Sequence, residues 1–413
     1  MSFLFDHRQL AKEMDLYYFD ESVGAGLPMW LPNGVAIREA LEEFIKKKER
    51  HCGYRRVSSP GLGREELYQK SGHLKWYKDD MFPSMALKSD QLQLNQYYLR
   101  PMNCPHHHQY FSHKKRSYQE LPLRFAEYGQ VYRNEASGAL RGLSRVRGLC
   151  QNDGHIYVGE WHVKEELSRV LNLHLDCYRA IGIEGFRFRL SKHDPLDIDS
   201  NDSRAMWIKC ENILREVLQE AKVPFFEAAG EAAFYGPKID VQMQIYSECS
   251  MQKIKEESIS SIQLDFLSSE RFDLSFVNKE GRPERPFVIH RAPLGSHERF
   301  IAMLLEYFDG NLPAWLAPVQ VNILSVGADA NDYCKKMHNQ LLDLGIRVAL
   351  DDRDMSLGKK MALSYKFKPH LNLVIGKKEV EANLFSLNLL SNAKKMNEEE
   401  LMKFFVSYFA IPS

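Results

Sequence analysis

Net charge, paired cysteines, long apolar runs and phosphate-loop glycines are all missing from this 413-residue chain. Lys plus Arg and Asp plus Glu both total 55, so no global field draws it toward nucleic acid or membrane, and any polyanion it binds must meet local patches. The seven cysteines (Cys52, Cys104, Cys150, Cys177, Cys210, Cys249 and Cys334) are odd in number, scattered and without a CxxC pair, which argues against a disulfide framework and for a reducing compartment. No uninterrupted apolar stretch reaches the roughly 18 residues of a membrane span. The N-terminal "MSFLFDHRQLAKEMDLYYFD" carries acidic residues and no signal-peptide core. A cytoplasmic protein is expected, or an organellar matrix protein from which a presequence has been cleaved. Neither GxxxxGK[ST] nor GxGxxG occurs, so a nucleotide here is not held by a P-loop or a Rossmann turn.

What is present is a chain large enough for about two or three domains, 44% hydrophobic and 27% charged. "NGVAIREALEEFIKKKERHCGYRRVSSP" places Val35, Ile37, Leu41, Phe44 and Ile45 at helical spacing, then breaks at Gly53 into a short strand ending at Pro60. "LPLRFAEYGQVYRNE" and "LSRVRGLCQNDGHIYV" read as two antiparallel strands joined by a basic, glycine-bearing loop. Helices and strands then mix without regular βαβ alternation. This predicts an α+β domain on an antiparallel sheet over residues 1–313. After "GNLPAWLAP" the pattern becomes strand, helix, strand, helix, strand, predicting a small α/β domain with a largely parallel sheet over 316–413.

The densest chemistry sits in "RPMNCPHHHQYF", residues 100–111. Cys104 alone reads as a small buried hydrophobe, and the histidine triplet as a polar helix start behind Pro105. Adjacent helical side chains point about 100° apart, so His106, His107 and His108 cannot converge on one ion, and at most one could join Cys104. Further ligands must come from elsewhere; His155 in "CQNDGHIY" and His290 in "PFVIHRAPLGSHERF" are strand-borne candidates. One Cys with two His would leave a coordination position open, the pattern of a working rather than a structural zinc site. Arg133 and Glu135 are two residues apart on a predicted strand and so share a face, suiting a guanidinium to a phosphate and a carboxylate to a base amino group; the bland reading of such a pair is a cross-strand salt bridge. Arg299 falls in the first turn of the helix after "APLGS", where the helix dipole also favours an anion.

Taken together these segments resemble the threonyl-tRNA synthetases of class II. The helix-strand segment ending at Pro60 resembles class II motif 1, "RFAEYGQVYRNEASGALRGLSRVRGLCQNDGHIY" motif 2 and "IHRAPLGSHERFIAMLLEYF" motif 3. "RPMNCP", "SGHLKWYKDDMF", "YGPKID", "IQLDF" and "PAWLAPVQV" resemble threonyl-type signatures, and the likeness spans nearly the whole chain. It implies a class II catalytic domain followed by an anticodon-binding domain, with Zn2+ on Cys104, His155 and His290. It implies Arg133 on the substrate carboxylate and the ATP α-phosphate, Glu135 and Arg145 on ATP, and Arg299 against adenine and the terminal phosphates. Gln151, Asp153 and Tyr235 would surround L-threonine, while Lys238, Gln263 and Ser296 line the site. His73 would move the proton when threonine passes to the tRNA(Thr) ribose hydroxyl, Mg2+ would accompany ATP, and Glu379 would read the anticodon. His106 and His107 are expected as packing or surface residues. A homodimer through motif 1 is expected.

Zinc would supply selectivity. Valine shares threonine's shape, and an apolar pocket separates such isosteres by only about 10²-fold; ligation of amine and hydroxyl, with Asp153 taking the hydroxyl proton, leaves valine a ligand short. Serine lacks only one methyl, worth roughly 1–3 kcal/mol. Bacterial-type relatives carry an N-terminal editing domain against seryl-tRNA; this chain begins about where their catalytic domain begins, and measurable serine activation is expected of it. Departures from the family are Ser258, Ser260 and Ser261 before "IQLDF", "MWLPNG" early in the chain, Asp354 where Asn is common and Asn388 where Arg is common. The last is expected to weaken or alter anticodon recognition. Two other readings compete: a synthetase-like paralogue that binds RNA or a regulator without charging tRNA, and ligation of another amino acid on the same scaffold.

Overall fold

The computed structural model describes residues 6–88, 94–194, 201–246, 253–389 and 392–412. Close contacts sort the chain into two units, one of Met1–Asp20, Pro28–Lys47 and Ile301–Ser413, the other of Glu21–Leu27 and Lys48–Phe300.

The second unit is built on an eight-stranded sheet of β1 (Arg55–Arg56), β2 (Leu123–Tyr132), β3 (Gly148–Val158), β4 (Phe186–Ser191), β5 (Phe225–Ala228), β6 (Lys238–Tyr246), β7 (Lys253–Asp265) and β8 (Phe287–Ala292). Their spatial order is β5-β4-β6-β7-β8-β3-β2-β1. The inner pairs are antiparallel, as the sequence pattern predicts; only the outermost, β1/β2 and β4/β5, are parallel. β3 is buried at nearly every position, which requires cover on both faces and explains why it reads as a continuous apolar run rather than an alternating one. The short helix α1 (Cys104–Ser112) is pinned there by Phe111, whose ring stacks on Tyr157 of β3 at 4.4 Å, within a cluster that also takes in Leu123, Phe125, Phe272 and Val288. Helix α2 (Val163–Ile181) packs an apolar stripe including Leu167, Val170, Leu171 and Tyr178 and stops at Gly182, whose φ of 84° suits a residue without Cβ. Helices α3 (Asn201–Glu220) and α4 (His297–Tyr307) follow.

The first unit contains β9 (Val321–Val326), β10 (Val348–Asp351) and β11 (Leu371–Gly376), parallel in the order β10-β9-β11, with the crossover helices α5 (Asn331–Asp343) and α6 (Leu357–Phe367). This is the α/β alternation read from the sequence. A hairpin of β12 (Phe385–Leu389) and β13 (Asn392–Met396) and helix α7 (Glu398–Tyr408) complete a core around Val321, Ile323, Leu341, Leu373, Phe385 and Phe405. In the helix Pro32–His51 the expected stripe holds for Ile37, Leu41, Phe44 and Ile45, all buried, with Phe44 meeting Trp315 at 5.0 Å. Val35 departs from it, being 37% exposed, because it lies in the first turn, a step off the buried side.

Candidate active site

Antiparallel pairing of β3 with β8 sets His155 directly opposite His290. Cys104 opens α1, with Pro105 in the first turn, and points its thiol at the same place. One ligand atom from each of the three lies within 4.8 Å of the others, and all three residues are buried. The free nitrogens are set by hydrogen bonds on the far side of each ring. His290 uses Nε2 on Asp265 Oδ2 at 2.9 Å, and His155 uses Nδ1 on His107 Nδ1 at 2.8 Å. His155 Nε2 is left buried with no hydrogen-bond partner. A thiol, two imidazoles and an orphaned buried nitrogen fit a zinc ion. Burial, and then the charges of Asp153 and Asp265, pushes the Cys104 thiol well above its ordinary range, so a thiolate here needs a cation beside it. Burial, with His290 and His107 as neighbours, holds His155 well below the usual imidazole range, keeping its lone pair available.

Cys104 and His290 line a cavity of about 570 Å³ together with Arg133, Gln151, Asp153, Tyr235, Lys238, Gln263, Ser296 and Arg299. Asp153 Oδ2 accepts from Asn103 Nδ2 at 2.9 Å. The Tyr235 ring lies parallel to His290 at 5.0 Å, and its hydroxyl donates to Gln263 Oε1. Lys238 Nζ is 2.9 Å from Asp240. Arg133 Nε is buried and unpaired. Arg299 sits in the first turn of α4, where Ser296 Oγ accepts from its backbone N–H at 3.2 Å and its Nε donates to Ser144 O at 3.2 Å. That turn depends on Gly295, at φ 54°, where an added Cβ would stand 2.3 Å from Ile259 O. Burial, and next the charge of Arg133, lowers the Arg299 pKa: two guanidiniums share a partly dry space and favour a polyanion between them.

Other expected site residues lie differently. β2 ends at Tyr132, so Arg133 and Glu135 do not share a strand face; Glu135 N donates to Arg133 O at 2.9 Å in a tight turn that breaks the alternation. Glu135 pairs instead with Arg145 Nε at 2.7 Å, and the cavity lining includes neither. His73 starts a short helix, with Nδ1 2.8 Å from Ser71 Oγ, Nε2 buried and unpaired, and its ring edge-on to the cavity residue Phe234. Burial, followed by the charges of Arg271 and Arg133, lowers its pKa to about 4. Glu379 caps its own helix by accepting from Gly376 N at 2.9 Å, and Asp354 is exposed beyond β10. The side chain of Asn388 lies outside the described residues. Ser258, Ser260 and Ser261 line the cavity; Ser258 accepts from Gln242 Nε2 at 2.6 Å and Ser260 meets the Tyr178 hydroxyl.

The histidine triplet is buried throughout, which corrects the surface alternative for His106 and His107. The polar shell of Asn103, His107, Glu127 and Asp265 escaped the sequence reading. Only Asp265 left a signal there, standing two residues from Gln263 and so on the same strand face.

Residues 87–308 match the tRNA synthetase class II core domain (G, H, P, S and T), and residues 320–408 an anticodon binding domain. The chain is 44% identical over 98% of its length to a threonine-tRNA ligase of Anoxybacillus flavithermus and 47% identical over 92% to that of Staphylococcus carnosus, covering 61% and 57% of those proteins. It thus spans about three fifths of the length of the curated relatives it matches. A crystal structure described as the RNA binding domain of threonyl-tRNA synthetase from Cryptosporidium parvum superposes with a TM-score of 0.89 at 32% identity, covering 99% of both chains. A putative threonyl-tRNA synthetase from Aeropyrum pernix does so at 0.83 and 29%, covering 98% of both. A catalytic core match, an anticodon-domain match and relatives of one specificity across nearly every residue have one meaning: this chain belongs to the threonyl-tRNA synthetase family of class II.

Proposed function

We propose that the chain is a threonine-tRNA ligase, activating L-threonine with ATP and Mg2+ and transferring it to the 3′ end of tRNA(Thr), with residues 1–313 catalytic and 316–413 reading the anticodon. The observation that carries this is the convergence of Cys104, His155 and His290 within 4.8 Å, in contact with a cavity that also holds Arg133 and Arg299. Both reactants of the activation step are anionic, and the two guanidiniums offset the repulsion as the threonine carboxylate attacks the α-phosphorus and pyrophosphate leaves. Gln151, Asp153 and Tyr235 enclose the amino acid, Asp153 accepting its hydroxyl proton; Lys238, Gln263 and Ser296 complete the wall. Glu135 and Arg145 take ATP. Cys104, His155 and His290 would hold a zinc ion, which would supply Lewis-acid binding of the amine and hydroxyl of threonine, a receptor for which valine lacks one donor. His73, uncharged near neutral pH and with Nε2 free, accepts the ribose hydroxyl proton in the transfer step. Glu379 contributes to anticodon recognition.

Among the described residues no helix is long and apolar enough to cross a membrane. Assembly as a homodimer through the segment ending at Pro60 is part of the same reading; a monomer in sedimentation at micromolar concentration would remove it. The deciding assay is threonine-dependent ATP-pyrophosphate exchange, abolished by a chelator and restored by Zn2+. A metal-free enzyme that still separates threonine from valine overturns the reading.

A further inference from the structure

Helix α1 sends three successive histidines in three directions; His108 sets its ring edge-on to His155 and His290 at 6.0 and 6.3 Å, but only His107 bonds a ring nitrogen of a candidate metal ligand. His106 Nε2 meets Leu62 O at 3.2 Å, and His108 Nδ1 meets the Tyr157 hydroxyl at 2.9 Å. His107, fully buried, is engaged at both ring nitrogens: Nε2 lies 3.0 Å from Glu127 Oε2 and Nδ1 lies 2.8 Å from His155 Nδ1. Two facing Nδ1 atoms need one donor and one acceptor. Glu127 settles which. Its carboxylate already accepts from Ser59 N and Oγ and faces Arg100, so it acts as an acceptor and His107 Nε2 must donate. A neutral ring protonated at Nε2 has a bare Nδ1; His155 Nδ1 therefore carries the proton, and His155 Nε2, the orphaned atom at the ligand cluster, presents its lone pair. His290 presents a lone pair by a shorter route and in the opposite tautomer: Asp265 alone accepts from Nε2, leaving Nδ1 bare.

Resting on the zinc reading of Cys104, His155 and His290, we infer that His107, backed by Glu127, is a positioning residue that fixes the tautomer and ring orientation of His155 without touching the ion. Direct carboxylate-imidazole-metal support is a general device; here a second imidazole is inserted into it.

The test is Zn2+ affinity by competition with a chelating dye on the full chain, with Co2+ absorption reporting thiolate ligation and circular dichroism confirming the fold. His107→Asn keeps an acceptor near the Nδ1 position that faces His155. His107→Gln keeps only the reach to Glu127. His107→Gln should weaken Zn2+ about 10- to 100-fold, His107→Asn clearly less, and His106→Gln, a buried neighbour on the same turn, should stay within about twofold. A packing role would move both His107 variants alike, so equal losses, or two folded variants binding as tightly as the parent, overturn the inference. If the parent chain binds neither metal, the zinc reading fails and this inference falls with it, an outcome distinct from equal losses in the two His107 variants.

Discussion

Arg145 Nε and Glu135 Oε2 stand 2.7 Å apart across the loop between β2 and β3, each satisfying a group that the family resemblance assigns to ATP. Arg145 is half exposed and Glu135 largely buried, so the arginine is the partner open to solvent. ATP has to compete with this pair. Arg145→Ala should raise the ATP Kd about tenfold, roughly 1.4 kcal/mol, and Glu135→Gln should act similarly. Because the two residues touch, the double variant should lose clearly less than the sum. Titration of ATP by calorimetry across the four proteins checks this; full additivity contradicts it.

Gly129 lies where a Cβ would come within 2.1 Å of Asn103 Oδ1, and Asn103 both holds Asp153 and precedes Cys104. Gly129→Ala should cost about 1–3 kcal/mol in urea denaturation and raise the threonine KM more than the ATP KM. Gly138→Ala, where nothing stands within 4 Å of the added carbon, is the matched control and should be close to neutral.

Specificity should be lopsided. In the Zn2+-loaded chain, valine activation should be undetectable beside threonine, whereas kcat/KM for threonine over serine in pyrophosphate exchange should lie between about 10 and 200, the range one methyl can supply. A ratio near 10⁴ would mean the cavity rejects serine by some contact not yet identified.

Acid should destabilise the metal-free fold earlier than its carboxylates alone would. Burial is the leading cause of the depressed pKa values of His73 and His174, each about 4, and of His108, about 3, against 6.5 for an exposed imidazole. The unfolded chain takes up these protons first. The stability they contribute is therefore complete above about pH 6.5 and is lost as the pH falls toward 4, by up to roughly 3 kcal/mol per histidine. Glu127, which burial would raise but hydrogen bonds from His107 and Ser59 bring down to about 2, adds its loss only below about pH 4.5. Urea midpoints should hold level between pH 7.5 and 6.5 and fall steadily from there to 4.5, and His73→Gln should flatten that slope.

Local pattern carried the element types far. β2 and β3, the helix Pro32–His51 and the α/β alternation after residue 316 were all legible, because each is set by periodicity over a few neighbouring residues. Strand ends were less so: alternation cannot reveal that β2 stops at Tyr132 and that Glu135 turns away toward Arg145. Spacing alone offered Cys104, His155 and His290 as candidate ligands but could not join them, since β3 and β8 are far apart in the chain and only their register puts His155 against His290. Resemblance to a family joined those residues; of the supporting shell only Asp265 left a trace, two residues from Gln263. His107 looks like its neighbours in the sequence, and its role follows only from which carbon of α1 happens to face β3.

Register has a kinetic corollary. The proposed cation cage draws a cysteine and two strand histidines from three remote stretches, two of them joined by non-local pairing of the kind that forms slowly. If the three residues hold an ion as proposed, their full set is complete only once β3 and β8 have paired. Tight metal uptake during refolding would then be a late event, reporting molecules in which that register is already correct.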